Sequence, residues 1–169
     1  MAKPSPTSYP GYFQKYIDQV PEQDLFTAFD NQLSVIGSFF ASITEEKSKY
    51  AYAEGKWTLK ELLQHMSDAE RIFSYRALCF ARRETASLPG FEENDYAAHS
   101  NANNRTWQSL VDEFLAVRHS TELLFRSFSP EALATSGTAN NNAITVASIG
   151  FISLGHFYHH KKVIEERYL

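Results

Sequence analysis

The sequence predicts an all-α protein, a four-helix bundle with a long crossover connection. Its seven glycines and six prolines are few and lie mostly between patterned segments. Four segments repeat apolar residues every three or four positions, which is the spacing of one helical face. Four such amphipathic helices bury their apolar stripes by packing around a common axis. At 169 residues, the chain has the length of one domain with a substantial core.

We predict an irregular N-terminal arm over residues 1–20 and a bundle domain over residues 21–169. The arm contains several residues that interrupt regular structure: Pro4, Pro6, Pro10 and Gly11. The first helix is predicted from about Pro21 to Lys49, because proline suits a first helical turn. Its apolar seam steps by four and three residues along Phe29, Leu33, Ile36, Phe40 and Ile43.

The second helix is predicted to begin after residues 50–57, where Gly55 breaks the pattern. Thr58 and Glu61 have the spacing of a capping box, in which each side chain satisfies a backbone N–H of the other. The helix should continue to about Glu84. Its seam of Leu62, Ala69 and Ile72 contains a single polar residue, His65.

Residues 85–104 are predicted to form a long connection, which permits the crossover. A loop of this length is uncommon in a compact domain and often has a function. The third helix should run from about Thr106 to Phe128. Its seam is Trp107, Leu110, Phe114, Val117, Thr121, Leu124 and Phe128.

The last part of the chain predicts a short extra turn, a loop and a final helix. Ser129 followed by Pro130 is typical of the start of a short helix. Residues 135–142, TSGTANNN, are predicted to be a loop. The fourth helix should run from about Thr145 to Tyr168.

The composition excludes several classes of function. A formal net charge of −4 and the lack of a basic stripe exclude nucleic acid as an expected partner. No apolar run is long enough to span a membrane, and the start lacks the apolar core of a signal peptide, so we expect a cytoplasmic protein. The single cysteine, Cys79, excludes an internal disulfide framework and is expected to be a small buried hydrophobe.

Two histidines of the last helix, His156 and His160, are spaced for a metal site. Helical residues four apart lie one turn apart on the same face, so both imidazoles can reach one ion. His65, on the second helix, is the natural third ligand. Neutral imidazole suits divalent transition metals, and three protein ligands leave positions open for water or substrate.

The alternative is a solvated helix end, where positive side chains suit the negative end of the helix dipole. His159, Lys161 and Lys162 fit that interpretation. His159 lies off the line of the other two histidines and should be a surface or supporting residue.

The remaining polar residues are expected to have no direct part in the chemistry. His119 should be exposed, and His99 should be a solvated loop residue, although it could overhang the site. Asp68 and Glu70 are expected to be solvated or ion-paired. There is no glycine-rich phosphate loop, the Glu-x-x-His pattern of diiron bundles is missing, and no residue stands out as a general base.

Three stretches resemble the DinB-like (DNA-damage-inducible) superfamily, in the branch that includes bacillithiol S-transferases and mycothiol-dependent maleylpyruvate isomerase. They are EGKWTLKELLQHMSDAER, LPGFEENDYA and GHFYHHKKVIEERYL. The resemblance covers about residues 22–169. It implies a DinB-like bundle, often a homodimer, that holds zinc, nickel or a similar ion on His65, His156 and His160. It also implies a small-molecule substrate and chemistry with a low-molecular-weight thiol.

Three functions remain open from the sequence. The first is a metal-dependent thiol S-transferase, and the second is a metal-dependent hydrolase. The third is a non-enzymatic bundle that binds a metal or small ligand. A fourth protein ligand closing the coordination sphere would favour a structural metal, whereas a site that opens onto a cleft would favour catalysis.

Overall fold

The computed structural model describes residues 1–169 and confirms the four-helix bundle. In chain order the helices are α1 (Gln14–Ile17), α2 (Leu25–Ala41), α3 (Glu45–Ser48), α4 (Leu59–Ala81), α5 (Glu93–His99), α6 (Trp107–Arg126), α7 (Pro130–Ala134) and α8 (Val146–Arg167). The strands are β1 (Ser136–Ala139) and β2 (Asn142–Thr145). The bundle consists of the four long helices α2, α4, α6 and α8. None of the helices is both long enough and apolar enough to cross a membrane.

The crossover is confirmed, but it does not lie where the sequence suggested. Helix α4 packs against α6 and α8, and α2 packs against the same two helices. Helices α2 and α4 therefore lie at opposite corners of the bundle, as do α6 and α8. The connections over residues 42–58 and 127–145 cross the ends of the bundle, whereas residues 85–104 join two neighbouring helices.

The predicted first helix is shorter than expected and is broken in two. It begins at Leu25, because the Asp24 side chain accepts hydrogen bonds from the backbone N–H groups of the first turn. It ends at Ala41, where the Ser42 hydroxyl donates to the Phe39 carbonyl at 2.6 Å. Thr44 then caps the separate helix α3. Hydroxyl side chains compete with helical hydrogen bonds in this way, so the prediction of one helix to Lys49 was wrong.

The other long helices agree with the prediction to within a few residues. The capping box of α4 is present, with Thr58 and Glu61 each bonded to the backbone of the other. Helix α4 ends at Ala81, before the predicted Glu84, and Arg83 adopts a left-handed conformation with φ 63°. The Ser129 side chain caps α7 as expected.

The predicted loop over residues 135–142 is instead part of an antiparallel hairpin. Strands β1 and β2 pair from Ser136 with Thr145 to Ala139 with Asn142. Asn140 and Asn141 form the turn with φ 48° and 61°. Positive φ at both central residues matches the twist of paired strands, and asparagine tolerates it well.

Half of the residues predicted to form an irregular N-terminal arm lie in short helical turns, and the arm packs closely against the bundle. It contains two short 3-10 turns and the one-turn helix α1, which lies along α8. Gly155 of α8 allows this approach, because a Cβ atom there would lie 2.0 Å from the Tyr16 carbonyl oxygen. Farther along, the hydroxyl groups of Ser8 and Ser148 are 3.0 Å apart.

Two apolar clusters form the core, with a polar layer between them. One contains Phe29, Phe73, Phe125 and Ile152, and the other contains Ile36, Met66, Phe114 and Phe157. On each long helix a buried polar residue lies between members of the two clusters. These residues are Gln32, Glu70, Arg118 and Ser153.

Candidate metal centre

The structure brings together the three histidines that the sequence singled out. His65 lies on α4, and His156 and His160 lie one turn apart on α8, which packs against α4. The Nε2 atom of His156 is 3.3 Å from that of His65 and 3.0 Å from that of His160. One nitrogen from each ring lies within 4.8 Å of the other two.

This arrangement fits a transition-metal ion. Three imidazole nitrogens bound to one tetrahedral zinc at 2.0–2.1 Å would lie about 3.3 Å from one another. The separations found between the Nε2 atoms are close to that value. No histidine, cysteine or carboxylate other than these three belongs to the group, so protein ligands do not close a fourth position.

The rings are held in the neutral form that metal binding needs. Burial lowers the pKa of His65 to about 4, against a smaller opposing effect of Glu93. The pKa of His156 lies well below its ordinary value because of burial first and then because of the neighbouring His160 and His65, with a smaller effect of Arg118. Burial likewise holds the pKa of His160 well below its ordinary value. At neutral pH the three rings therefore carry free lone pairs.

The histidines lie in the wall of a cavity of about 300 Å³. Most of that wall is aromatic and aliphatic. The Trp57 ring is 4.8 Å from the His65 ring, and the rings of Tyr16 and Phe73 lie 5.5 Å and 5.8 Å from the His156 ring. These aromatic groups limit the access of water to the histidines. The arm contributes Pro10, Tyr12, Phe13 and Tyr16 to this wall.

Four polar residues that sequence reasoning did not assign to the site also line the cavity. They are Arg76, Glu93, Asn140 and Asn142. Glu93 is the only acidic residue of the lining and lies in the stretch LPGFEENDYA, so its position was signalled by the resemblance but its role was not. Arg76 lies on α4 and carried no signal, because arginine on a helix is usually solvated.

The other histidines lie outside the group, as expected. His159 is half-buried, with its ring 5.0 Å from both the Tyr16 and the His160 rings. His119 and His99 are exposed, and neither lines the cavity. Cys79 is half-buried beside the core rather than fully buried. Glu70 is ion-paired, with its carboxylate 2.8 Å from Arg118.

The fold and the site together define a class of protein: a four-helix bundle in which buried histidines of two helices converge on a cavity. Residues 28–164 match the model of the DinB superfamily, so the chain belongs to that superfamily. The structure is similar to that of YfiT from Bacillus subtilis, with a TM-score of 0.72 and 14% sequence identity. The similarity covers 96% of this chain and 95% of YfiT, which is described as a probable metal-dependent hydrolase with an unusual four-helix bundle topology. No curated protein matches the chain significantly.

Proposed function

We propose that the protein is a metal-dependent enzyme of thiol S-transferase type, with zinc or nickel held by His65, His156 and His160. The observation that carries this proposal is the convergence of three neutral imidazoles on a cavity, without a fourth protein ligand. A structural zinc site is normally closed by four protein ligands, whereas a catalytic site keeps a position open. The absence of a fourth ligand therefore favours catalysis over a structural role.

The residues of the chain would bind the substrate and exclude water. A divalent ion on these ligands supplies a Lewis acid that lowers the pKa of a thiol or water. Trp57, Tyr16 and Phe73 shield this end of the cavity, which strengthens electrostatic interactions there. A cavity of about 300 Å³ suits a small molecule, and its mostly apolar wall suits an apolar one.

The placement of Glu93 helps to distinguish thiol transfer from hydrolysis as the reaction at this site. A water nucleophile benefits from a positioned general base, which contributes typically about 10²–10⁴-fold. Glu93 is the one carboxylate of the lining, yet it is largely exposed and its side chain makes no hydrogen bond within the protein. A thiol ionises more readily than water and depends less on such a base. The loosely held Glu93 therefore favours a thiol nucleophile.

Metal-dependent hydrolysis is the second candidate function. It is favoured by the presence of Glu93 in the cavity and by the description of YfiT as a probable hydrolase. In that reaction Glu93 would accept a proton from the attacking water.

Elemental analysis of untagged protein, followed by assays of the metal-loaded protein, tests the proposal. The assays would combine bacillithiol, mycothiol, glutathione and coenzyme A with an electrophile, and model esters and amides with water. We expect turnover with at least one thiol and little change in Glu93→Gln. Glu92→Gln is the matched control, because Glu92 is exposed and lies outside the cavity.

Turnover of esters or amides alone, with a loss of about 10²-fold or more in Glu93→Gln, would replace transfer by hydrolysis. A protein that binds no metal would overturn both candidates.

The proposal includes a cytoplasmic location and a homodimer. A thiol substrate is kept reduced in the cytosol, so this location suits thiol transfer. Light scattering of the purified protein measures the oligomeric state directly.

A further inference from the structure

Arg76 lies at the other end of the cavity from the histidines. It follows His65 by eleven positions on α4, which is close to three helical turns and roughly 16 Å along the axis. Both residues therefore project from nearly the same face of the helix. Both line the cavity.

Arg76 is a largely buried residue without an acidic partner. Arg76 is 9% exposed, and no carboxylate lies within ion-pair distance of it. Its only hydrogen bond within the protein runs from Nη2 to the Pro89 carbonyl oxygen at 2.7 Å. Most of its N–H donors therefore remain free for a ligand. Arg118, the other buried arginine, differs because it pairs with Glu70.

The position of the guanidinium is fixed by the hairpin. Leu88, next to Pro89, donates its N–H to Thr138 and accepts one from Asn140, each at 2.9 Å. The neighbouring Gly90 allows Asn140 to pack closely, since a Cβ atom at Gly90 would lie 2.7 Å from the Asn140 Oδ1 atom. The Pro89 carbonyl that binds Arg76 therefore lies next to a backbone segment that is hydrogen-bonded to the hairpin. A fixed donor loses less conformational entropy on binding than a mobile one.

The wall between Arg76 and the histidines is apolar. It includes Ala69 and Phe73 on α4 and Ile149 and Ile152 on α8. A ligand that spans the cavity would therefore place an apolar body against these side chains. Its anionic end would face Arg76, and its other end would face the histidines.

We propose that Arg76 binds the carboxylate of a small, otherwise apolar substrate whose far end reaches the three histidines. The planar guanidinium matches a carboxylate in a two-point interaction, and a partly buried cation is stabilised by a single opposite charge. Tyr12, Asn140 and Asn142 also line the cavity and supply further polar groups. This inference rests on the proposed function only for the identity of the cavity as the substrate site.

The test is a binding measurement on the full chain, with the metal removed by a chelator and again with zinc added. The probes are 4-phenylbutanoate and its neutral amide, measured by calorimetry. We expect the metal-free protein to bind the carboxylate at least about tenfold more tightly than the amide. Because no ion is present in the metal-free measurement, the preference found there cannot arise from coordination at the histidines.

Variants of Arg76 test whether this residue causes the preference for the carboxylate over the amide. Arg76→Gln should weaken carboxylate binding about tenfold or more and leave amide binding within about twofold. Arg76→Lys keeps the positive charge but not the planar guanidinium, so its affinity for the carboxylate should lie between those of the wild type and Arg76→Gln. Arg83→Gln is the matched control, since Arg83 is exposed and makes no ion pair. Thermal unfolding verifies that each variant is folded, and Arg76→Lys serves if Arg76→Gln does not fold.

Equal binding of the carboxylate and the amide would overturn the assignment, as would a preference that is undiminished in Arg76→Gln or, if that variant does not fold, in Arg76→Lys. Binding of 4-phenylbutyl phosphate but not of the carboxylate would also overturn it. Failure of the thiol and hydrolase assays would leave these metal-free measurements unaffected, so the two proposals fail separately.

Discussion

Two polar clusters lie in the same helical core, and their hydrogen-bonding atoms are used differently. In the first, Arg118 donates to Gln32 at 2.6 Å and to Glu70 at 2.8 Å. Gln32 in turn donates to the Leu154 carbonyl at 2.9 Å. The opposite charges of Arg118 and Glu70 compensate each other within the protein, although the Arg118 Nε and Glu70 Oε1 atoms are buried without a hydrogen-bond partner.

The histidine cluster has no such pair of opposite charges. Its members are three neutral rings whose Nε2 atoms face one another, and the Nδ1 atom of His160 is buried without a hydrogen-bond partner. Buried polar groups are normally satisfied. Identical groups that converge on a cavity therefore indicate a partner from outside the chain. The comparison separates a polar cluster that stabilises the fold from one that is arranged for a ligand.

The cluster of Arg118, Glu70 and Gln32 should contribute more to the stability of the fold than the histidine cluster. Arg118→Met leaves Glu70 buried without its ion-pair partner, and breaking a buried pair typically costs about 3–5 kcal/mol. We expect a loss of about that size in the free energy of unfolding, measured by urea denaturation.

The control is the double variant Arg118→Met with Glu70→Leu, which removes both charges. Replacing a buried pair with apolar residues is often neutral, so it should recover most of the loss. A double variant as unstable as Arg118→Met would show that the pair matters for packing rather than charge.

The histidine cluster should matter for metal binding and have little effect on the stability of the fold. His65→Ala is expected to weaken zinc binding by about a hundredfold or more, which corresponds to about 2.7 kcal/mol. Helical content, measured by circular dichroism, should remain near that of the wild type because burial of the apolar seams supplies most of the stability. Competition with a chromophoric chelator measures the zinc affinity.

His159→Ala is the matched control, because its ring lies outside the convergent group. We expect its zinc affinity to stay within about threefold of the wild type. Loss of zinc in His159→Ala with retention in His156→Ala would contradict the ligand set.

A smaller effect is expected from pH in the metal-free protein. The folded pKa of His65 is about 4, below its ordinary value of 6.5, so the unfolded chain binds more protons between these values. Stability from this residue is therefore complete above pH 6.5 and decreases as pH falls towards 4. From pH 7 to pH 5 the loss attributable to His65 is about 2 kcal/mol.

Thermal or urea unfolding at several pH values, with His65→Ala and the exposed His119→Ala for comparison, measures this effect. The pH dependence should be shallower in His65→Ala and unchanged in His119→Ala. Identical slopes in the wild type and His65→Ala would show that His65 is not buried in its neutral form.

The sequence predicted the histidine cluster better than the Arg118 cluster, for a physical reason. Helical spacing alone allowed either Leu33 or Gln32, and either Val117 or Arg118, to face the core. The apolar residue was chosen each time, but Gln32 and Arg118 are buried whereas Leu33 is 37% exposed. Polar residues enter a core when they find partners on other helices, and such pairing is not visible along one helix.

Other features depended on contacts that local patterns do not encode. The two-asparagine turn was a usable signal for the hairpin, since both residues favour positive φ. Arg76 had no such signal, because its burial depends on Pro89 and on the hairpin. The three histidines were predictable because two of them share a helical face and the third interrupts an apolar seam.

The contact of the arm with α8 has a consequence for the order in which the site is built. The Ser8 and Ser148 hydroxyls that meet there are 140 positions apart. During synthesis the arm emerges early, but its docking surface exists only after α8 has been made. Such distant contacts are costly in entropy and form slowly. The arm should therefore dock after the rest of the bundle has folded, which makes closure of the cavity a late step in folding.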